Sequence, residues 1–316
     1  MAFSATTLEK DDTTIIILKD EASGCSAEIY LFGAILNSFS IPVRDSIINV
    51  IDGFSSPEDA AQNITNGFKS AKLSPFVCRM QKGEYIFNGN LHKIDKFYIG
   101  DSAIHGLLFN ETFTIKSGGV DDNRAFATLA YNYTKKEEGF PFSYHIEVMY
   151  ELTHNNKLTL STSVTNTGNN DMPLSDGWHP YFKMGSTVNE LFIQFSSKKI
   201  VEFSDQLIPN GKTTPYTEFN ELKKIEDTFL DNCFVLKDTG KKAACILKDP
   251  ASGLALHIIP SSNYPYLQIY TPPHRQSIAI ENLSSVPDAF NNGMGLITAK
   301  AASEYSFTTS YQLILS

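Results

Sequence analysis

Apolar and polar side chains alternate along several stretches of this chain. In "SYHIEVMYELTHNNKLTL", apolar residues occupy every second position between residues 144 and 152, and the alternation resumes at Leu158 after the pair Asn155-Asn156. A period of two places the apolar side chains on one face of an extended strand, and asparagine tolerates the backbone of a tight turn. The pattern predicts two antiparallel strands that each bury one face.

A second hairpin is predicted in "EYIFNGNLHKI". Tyr85 and Phe87 alternate before the dipeptide Asn88-Gly89, and Leu91 follows it. Asn and Gly both adopt the positive φ angles that a two-residue hairpin turn requires. Further strands are predicted at residues 125–133, 191–195, 243–247, 254–259, 267–270, 278–280 and 311–315.

Helical segments are few. One short helix is predicted over residues 56–64, after Ser55 and with Pro57 in its first turn, and another over residues 221–229. An alternating β-α-β plan would need a helix of about 10 to 15 residues between most strands, which the chain does not supply. The sequence shows no internal repeat and no flexible linker. We therefore predict one all-β, antiparallel domain over residues 1–316.

The composition is that of a globular protein with a sizeable core, since 42% of the 316 residues are hydrophobic and 19% are charged. A formal net charge of −9 disfavours nucleic acid and membrane as partners and favours a neutral small-molecule substrate. The sequence shows neither a secretion signal nor an apolar run near the roughly 18 residues of a membrane span. The four cysteines form no CxxC pair, which predicts free thiols in a cytoplasmic protein.

The sequence lacks the motifs of several common chemistries. It has no GxxxxGK[ST] loop for phosphates, no HExxH pair for zinc and no GxSxG turn for an activated serine. Gly293 and Gly295 in "NNGMGLI" lack the third glycine of a dinucleotide-binding loop. Scattered histidines and acids remain, and they suit acid–base chemistry that needs neither a metal nor a cofactor.

Two of the seven histidines have distinctive surroundings. His105 in "AIHGLLF" and His179 in "DGWHPYF" are each followed by Gly or Pro and flanked by apolar residues. Such surroundings can hold an imidazole rigidly with a pKa near neutrality, but they equally suit a histidine packed in a core. His274 in "TPPHRQS" is a candidate loop ligand. Ordinary strand or surface positions are expected for the other four, which are His92, His145, His154 and His257.

Two acids also have alternative interpretations. Glu281 ends the apolar run "SIAIE", which predicts a position at the end of a strand, either as a surface carboxylate or as a site residue. Asp231 in "FLDNCF" is either a turn residue that bonds its own backbone or a second site carboxylate.

Five motifs, taken in this order, resemble the aldose 1-epimerase (galactose mutarotase) family. They extend from Ser74 to Leu296 and read "SPFVCRMQKGEYIFNG", "IHGLLF", "NTGNNDMPLSDGWHPYF", "FLDNCF" and "IAIENLSSVPDAFNNGMGL". The resemblance implies a single-domain antiparallel β-supersandwich with a cleft on one face.

The resemblance also implies roles for individual residues. His179 matches the family's general acid and Glu281 its general base. His105 matches a second active-site histidine that bonds the sugar. Arg79 and Asp231 match residues that bind sugar hydroxyls.

Two positions depart from the family pattern. Cys78 stands where the family has Asn before the arginine, and Asn232 stands where a histidine is common. The aromatics around His179 are Trp178, Tyr181 and Phe182. They are expected either to pack against the imidazole or to face the apolar side of a sugar ring, with a core position for at least two of them.

Interconversion of α and β anomers requires a proton to leave the C1 hydroxyl while another reaches the ring oxygen. One carboxylate and one imidazolium suffice, so no cofactor and no metal is expected. We expect mutual attraction to keep Glu281 ionised and His179 protonated near neutral pH.

Three functions stay open from the sequence. The first is a mutarotase of a free aldohexose such as glucose or galactose. The second is an epimerase of a phosphorylated or acidic hexose, for which Lys72, Arg79 and Arg275 are the candidate cations. The third is a carbohydrate-binding protein without turnover. The sequence predicts no oligomeric state.

Overall fold

The computed structural model describes residues 2–10, 13–237, 239–240 and 242–315. The strands of the first half of the chain are β1 (Phe3–Lys10), β2 (Thr13–Asp20), β3 (Ser26–Tyr30), β4 (Leu36–Val43), β5 (Ser46–Asn49), β6 (Ala71–Leu73), β7 (Arg79–Gln81), β8 (Glu84–Phe87), β9 (Asn90–Lys93), β10 (Tyr98–Ile99), β11 (Ser102–Ile104), β12 (Thr114–Val120), β13 (Arg124–Thr134) and β14 (Ser143–Thr153).

The strands of the second half are β15 (Lys157–Asn166), β16 (Met172–Leu174), β17 (Gly177–His179), β18 (Tyr181–Phe182), β19 (Phe192–Phe195), β20 (Ser197–Phe203), β21 (Pro209–Pro215), β22 (Lys223–Lys224), β23 (Asp231–Leu236), β24 (Cys245–Lys248), β25 (Leu254–Pro260), β26 (Tyr266–Tyr270), β27 (Ile278–Leu283), β28 (Ile297–Ala299) and β29 (Glu304–Leu315). The helices in the described ranges are α1 (Pro57–Asn63), α2 (Ala289–Asn292) and a single 3-10 turn (Val188–Glu190).

Three large antiparallel sheets contain most of these strands. The first has the order β1-β2-β3-β4-β5, and the second, with nine strands, has the order β12-β13-β14-β15-β29-β25-β24-β19-β22. The third has eight strands in the order β21-β20-β23-β26-β27-β17-β6, with β18 also paired to β27. The largest apolar cluster extends from Phe3 to Leu313 and includes residues of all three sheets. The predicted all-β antiparallel fold is confirmed.

Both predicted hairpins are present. In β14 and β15 buried and half-buried residues alternate without a break, and the turn residues Asn155 and Asn156 have φ angles of +63° and +54°. In the turn between β8 and β9, Asn88 and Gly89 have φ angles of +50° and +78°. These left-handed conformations are those that the Asn-Asn and Asn-Gly pairs predicted.

Of the two predicted helices, one is confirmed and one is wrong. Helix α1 begins after Ser56, whose hydroxyl accepts a hydrogen bond from the Asp59 N–H at 3.2 Å. Residues 221–229 form no helix, because Lys223–Lys224 pairs with β19 and Glu226 has a φ of +53°. Arg275 then donates a hydrogen bond at 3.0 Å to the Thr228 carbonyl, which fixes this non-helical path. Within the described ranges no helix is long and apolar enough to cross a membrane.

Candidate active site

Four neighbouring strands of the eight-stranded sheet bring polar side chains into one cleft. In the order β23-β26-β27-β17 they contribute Asp231, Gln268, Glu281 and His179. Gln268 lies directly opposite Glu281 in the pairing of β26 with β27. Because neighbouring residues in register share a face of the sheet, this arrangement concentrates hydrogen-bonding groups at one place.

The two acids of this cleft, Glu281 and Asp231, lie at other positions in their strands than the local sequence predicted. Glu281 is inside β27 rather than at its end, because β27 continues through Asn282 and Leu283 in register with β26. Its side chain is buried, with 2% of the residue exposed. Asp231 begins β23 rather than occupying a turn, and its carboxylate accepts a hydrogen bond from Gln268 Nε2 at 3.0 Å.

Residues around β7 and β11 form the opposite wall of the cleft. Arg79 opens β7 and pairs with Ile104, the last residue of β11, so that His105 follows directly. The His105 N–H donates to the Cys78 carbonyl at 3.0 Å. Gly106 has a φ of +78°, and a Cβ atom there would lie 2.4 Å from the Ser74 carbonyl oxygen. The glycine after the histidine is therefore required by close backbone contact.

The cleft has a volume of about 290 Å³, near the lower end of small-molecule sites. All five site residues predicted from the sequence line it, namely His179, Glu281, His105, Arg79 and Asp231. The other lining residues are Gly67, Phe68, Cys78, Ile99, Ile104, Tyr181, Phe203, Leu207, Gln268, Tyr270 and Pro287.

His179 and Glu281 are in direct contact inside this cleft. The His179 Nε2 atom lies 3.4 Å from the Glu281 Oε1 atom, and both side chains are almost fully buried. The His105 ring meets the His179 ring edge to face, with 4.7 Å between centroids. An imidazole and a carboxyl group at this separation can pass protons to and from one small substrate lying against both.

The three aromatics around His179 divide between the cleft and the core. The Tyr181 ring stacks on the His179 imidazole, with 5.2 Å between centroids, and lines the cleft. Trp178 points the other way and packs against Tyr150, while Phe182 packs against Tyr311. This division follows the alternation of side chains along extended backbone, so two of the three aromatics are core residues, as expected.

Comparison with known proteins identifies the family. The sequence profile described as "Aldose 1-epimerase" matches residues 15–312, nearly the whole chain. The chain belongs to the aldose 1-epimerase family. Membership in this family makes the protein an isomerase of the epimerase, or mutarotase, type. The resemblance carried by the five sequence motifs is thereby confirmed.

Two relatives of this chain are distantly similar in sequence. The chain is 24% identical to "Aldose 1-epimerase" of Streptococcus thermophilus over 89% of this chain and 88% of that protein. It is 26% identical to "Uncharacterized protein YihR" of Escherichia coli over 71% of this chain and 72% of that protein.

Several solved structures have the same fold as this chain although their sequences are only distantly similar to it. A galactose mutarotase-like protein from Clostridium acetobutylicum has a TM-score of 0.86 at 20% identity, with 99% of this chain and 98% of that chain covered. The galactose 1-epimerase from Lactobacillus acidophilus has a TM-score of 0.81 at 17% identity, with coverages of 99% and 98%. The antiparallel β-supersandwich fold implied by the sequence motifs is therefore confirmed.

Burial shifts the pKa values of His179 and Glu281 in opposite directions. It lowers the pKa of His179 to about 4. It raises the pKa of Glu281 well above its usual range, an effect that the negative charge of Asp231 increases and a hydrogen bond from Cys78 opposes. Burial thus favours the neutral form of each group. Desolvation therefore opposes the charged forms that mutual attraction was expected to favour.

Burial also shifts the pKa values of the neighbouring residues His105 and Asp231. Burial, followed by the proximity of His179 and Arg79, lowers the pKa of His105 well below its usual range. Burial raises the pKa of Asp231, while Arg79 and the hydrogen bond from Gln268 oppose that rise. Arg79 itself donates to the Ile99 carbonyl at 3.3 Å.

Gln268 is a site residue that the sequence reasoning missed. It is 6% exposed, and its Oε1 atom has no hydrogen-bond partner among the described residues. A buried amide oxygen without a partner in a polar cleft is suited to accept a hydrogen bond from a ligand. The available signal was a single polar residue within the apolar strand "YLQIY".

Two of the three cations considered for an acidic substrate lie outside the cleft lining. Lys72 is fully buried and its Nζ atom donates to Asp176 at 2.5 Å and to the Gly177 carbonyl at 3.0 Å. Arg275 donates to Asn189 Oδ1 at 2.7 Å. Only Arg79 of the three lines the cleft.

In the described part of the chain, no group of three or more His, Cys, Asp or Glu residues is arranged to hold a metal ion.

Proposed function

We propose that this protein is a mutarotase that interconverts the α and β anomers of a free aldohexose such as glucose or galactose. The observation that carries this function is the contact between His179 Nε2 and Glu281 Oε1, 3.4 Å apart in a cleft of about 290 Å³. In this role His179 is the general acid and Glu281 the general base, and His105 bonds the sugar beside them.

The reaction is a pair of proton transfers on the sugar. Glu281 removes the proton of the C1 hydroxyl while His179 gives a proton to the ring oxygen, so the C1–O5 bond breaks and a free aldehyde forms. Rotation about C1–C2 presents the other face of the carbonyl, and the two transfers then run in reverse. Each well-placed proton transfer contributes about 10² to 10⁴ in rate.

Sugar binding itself favours the productive protonation state. The reaction needs a carboxylate and an imidazolium, whereas burial by itself favours a neutral carboxyl and a neutral imidazole. A sugar hydroxyl that donates to Glu281 stabilises its ionised form, and a ring oxygen that accepts from His179 stabilises the protonated imidazole. The pair contains one proton in either arrangement, so no proton has to enter from solvent.

The charges of the cleft favour a neutral sugar over a phosphorylated or acidic one. Among the described residues, its lining contains one permanent cation, Arg79, together with the carboxyl groups of Asp231 and Glu281. A phosphate group would require paired cations or several charge-assisted donors. Arg79, Asp231 and the free Gln268 oxygen instead offer donors and acceptors for sugar hydroxyls, as expected for Arg79 and Asp231 from the sequence.

A binding protein without turnover is the less favoured alternative, because it would not need a buried acid and base in mutual contact.

We further propose that residues 1–316 act as one domain, which the continuous cluster from Phe3 to Leu313 supports. The cytoplasmic location stays a prediction, and the free thiols of all four cysteines are compatible with it.

Exchange spectroscopy by NMR tests this function directly. Anomer exchange of glucose, galactose and their 6-phosphates is measured with wild type, His179→Ala and Glu281→Gln. Wild type is expected to accelerate exchange of the free sugars, and each variant to lose about 10² to 10⁴ in kcat/KM. Matched controls are His257→Ala and Glu218→Gln, which alter residues outside the cleft lining. Equal exchange in wild type and both site variants contradicts the assignment, and preferred exchange of the phosphates selects the acidic-sugar alternative.

A further inference from the structure

The two carboxyl oxygens of Glu281 contact two different elements. Oε1 lies 3.4 Å from His179 Nε2, at the end of β17. Oε2 lies 3.8 Å from the Sγ atom of Cys78, the residue immediately before β7. Across the described residues, the Cys78 thiol is the one side-chain donor within hydrogen-bond distance of Oε2. Together the two contacts fix the direction in which the carboxyl group faces.

The backbone holds the Cys78 thiol in place. Cys78 has a φ of +50°, a left-handed conformation that is uncommon for cysteine. Its carbonyl accepts the His105 N–H at 3.0 Å, and the next residue is Arg79, which pairs with β11. The residue is 7% exposed and lines the cleft. Cys78 is thus a fixed part of the wall that faces β27.

The Cys78 thiol donates to Oε2 of Glu281. Burial raises the pKa of Cys78 well above its usual range, and the negative charges of Glu281 and Asp231 raise it further. A thiol is a weak donor, so it stabilises the Glu281 carboxylate less than an amide or hydroxyl would. The other titratable or charged groups around Glu281 in the described residues include His179 on β17, Tyr181 on β18, Asp231 and Cys233 on β23, Arg79 on β7 and His105 after β11.

We propose that Cys78 is a positioning residue for Glu281: its thiol holds Oε2 so that Oε1 faces His179 and the substrate. This role rests on the proposed mutarotase function. It also gives a physical meaning to the departure from the family pattern, where Asn occupies this position. An amide would donate a stronger hydrogen bond and make the base weaker.

Two substitutions change this contact in opposite directions. Cys78→Ala removes the donor, which raises the pKa of Glu281. Cys78→Asn introduces a longer side chain with a stronger donor, which lowers it, and asparagine tolerates the left-handed backbone. The ionisation of Glu281 is followed by the infrared band of its protonated carboxyl group, identified as the band missing in Glu281→Gln. We expect the titration midpoint to move to higher pH in Cys78→Ala and to lower pH in Cys78→Asn.

Kinetics provide the second measurement. At neutral pH we expect kcat for anomer exchange to fall about tenfold in Cys78→Ala, with KM nearly unchanged. The reason is that the Glu281 carboxyl group is no longer held in its productive position, while the groups that bind the sugar are unchanged. Cys245→Ala is the matched control, since Cys245 is a buried cysteine in β24 outside the cleft lining. It is expected to change neither the infrared midpoint nor kcat.

An identical Glu281 midpoint in wild type, Cys78→Ala and Cys78→Asn overturns the role of Cys78. If Cys78→Ala does not fold, the Cys78→Asn midpoint alone decides the question. A wild-type protein that exchanges no anomers contradicts the proposed function instead, and the infrared titration still tests the contact between Cys78 and Glu281 independently of turnover.

Discussion

The Nζ atom of Lys72 lies 2.5 Å from Oδ1 of Asp176, and both side chains are fully buried. Lys72 is in β6 directly opposite Trp178, and its ammonium group lies 4.4 Å from the centroid of the Trp178 ring. The Tyr264 hydroxyl donates to the same Asp176 oxygen at 2.6 Å. From the core side, this ion pair therefore fixes the backbone that leads into His179.

Breaking this pair is expected to destabilise the protein strongly. Lys72→Met leaves the Asp176 carboxylate buried without its cation, which costs about 3 to 5 kcal/mol. Urea unfolding at neutral pH measures the loss. The control is Lys223→Met, which removes an exposed ion pair with Glu218 and should cost at most about 1 kcal/mol. Equal effects of the two substitutions would show that the buried pair contributes no more than a surface pair.

Lys72 also illustrates which features a sequence does not reveal. A lysine in "SAKLSPF" is compatible with solvent, a phosphate site or a buried pair, and Asp176 is more than a hundred residues away. By contrast, the hairpins of β8–β9 and β14–β15 were predictable because alternation and turn residues act locally. Residues 221–229 were mispredicted because Arg275, distant in the sequence, fixes their carbonyl groups in a non-helical path.

The site was predictable in part. His179 and Glu281 were found through ordered motifs, and the local sequence of neither residue distinguished a reactive role from a packed one. Gln268 was missed because its role depends on strand register, which places it opposite Glu281. The directions in which the pKa values of His179 and Glu281 are shifted were not predictable, because the degree of burial is a property of the folded cleft.

The pH dependence of kcat/KM is expected to be bell-shaped. The active form of the free enzyme has one proton on the His179–Glu281 pair. Below about pH 4, the pKa of His179, the pair gains a second proton and the base is lost. At high pH, above the raised pKa of Glu281, the pair loses its only proton and the acid is lost. Anomer exchange measured from about pH 3.5 upwards checks both limbs of the profile. A profile that lacks one of the two limbs contradicts the requirement for one proton on the pair.

Ionisation of Glu281 is expected to lower the free energy of unfolding as the pH rises. Its pKa in the folded protein lies above the ordinary value of 4.5, so the folded state retains a proton that the unfolded state releases. Stability is therefore lost as the pH rises from about 4.5 through the folded-state pKa. Glu281→Gln cannot ionise, and its stability advantage over wild type should increase across the same window. Urea unfolding at pH near 4 and near 8 measures this difference, with the exposed Glu218→Gln as control, and a pH-independent difference would contradict the raised pKa.

Gln268 is expected to act in sugar binding rather than in proton transfer. Gln268→Leu removes the free Oε1 acceptor in the cleft and the Nε2 donor that holds Asp231 at 3.0 Å. Hydrogen bonds to hydroxyls remote from C1 are the same in the ground state and the transition state, so their loss raises KM while kcat changes little. Loss of the bond from Oε1 to the sugar, together with loss of the bond that holds Asp231, predicts a rise in KM of about ten- to a hundredfold. Gln194→Leu is the matched control, because Gln194 is a half-buried glutamine outside the cleft lining that donates to the Asn220 carbonyl at 2.7 Å. A lower kcat at unchanged KM in Gln268→Leu would instead place this side chain at the reacting atoms.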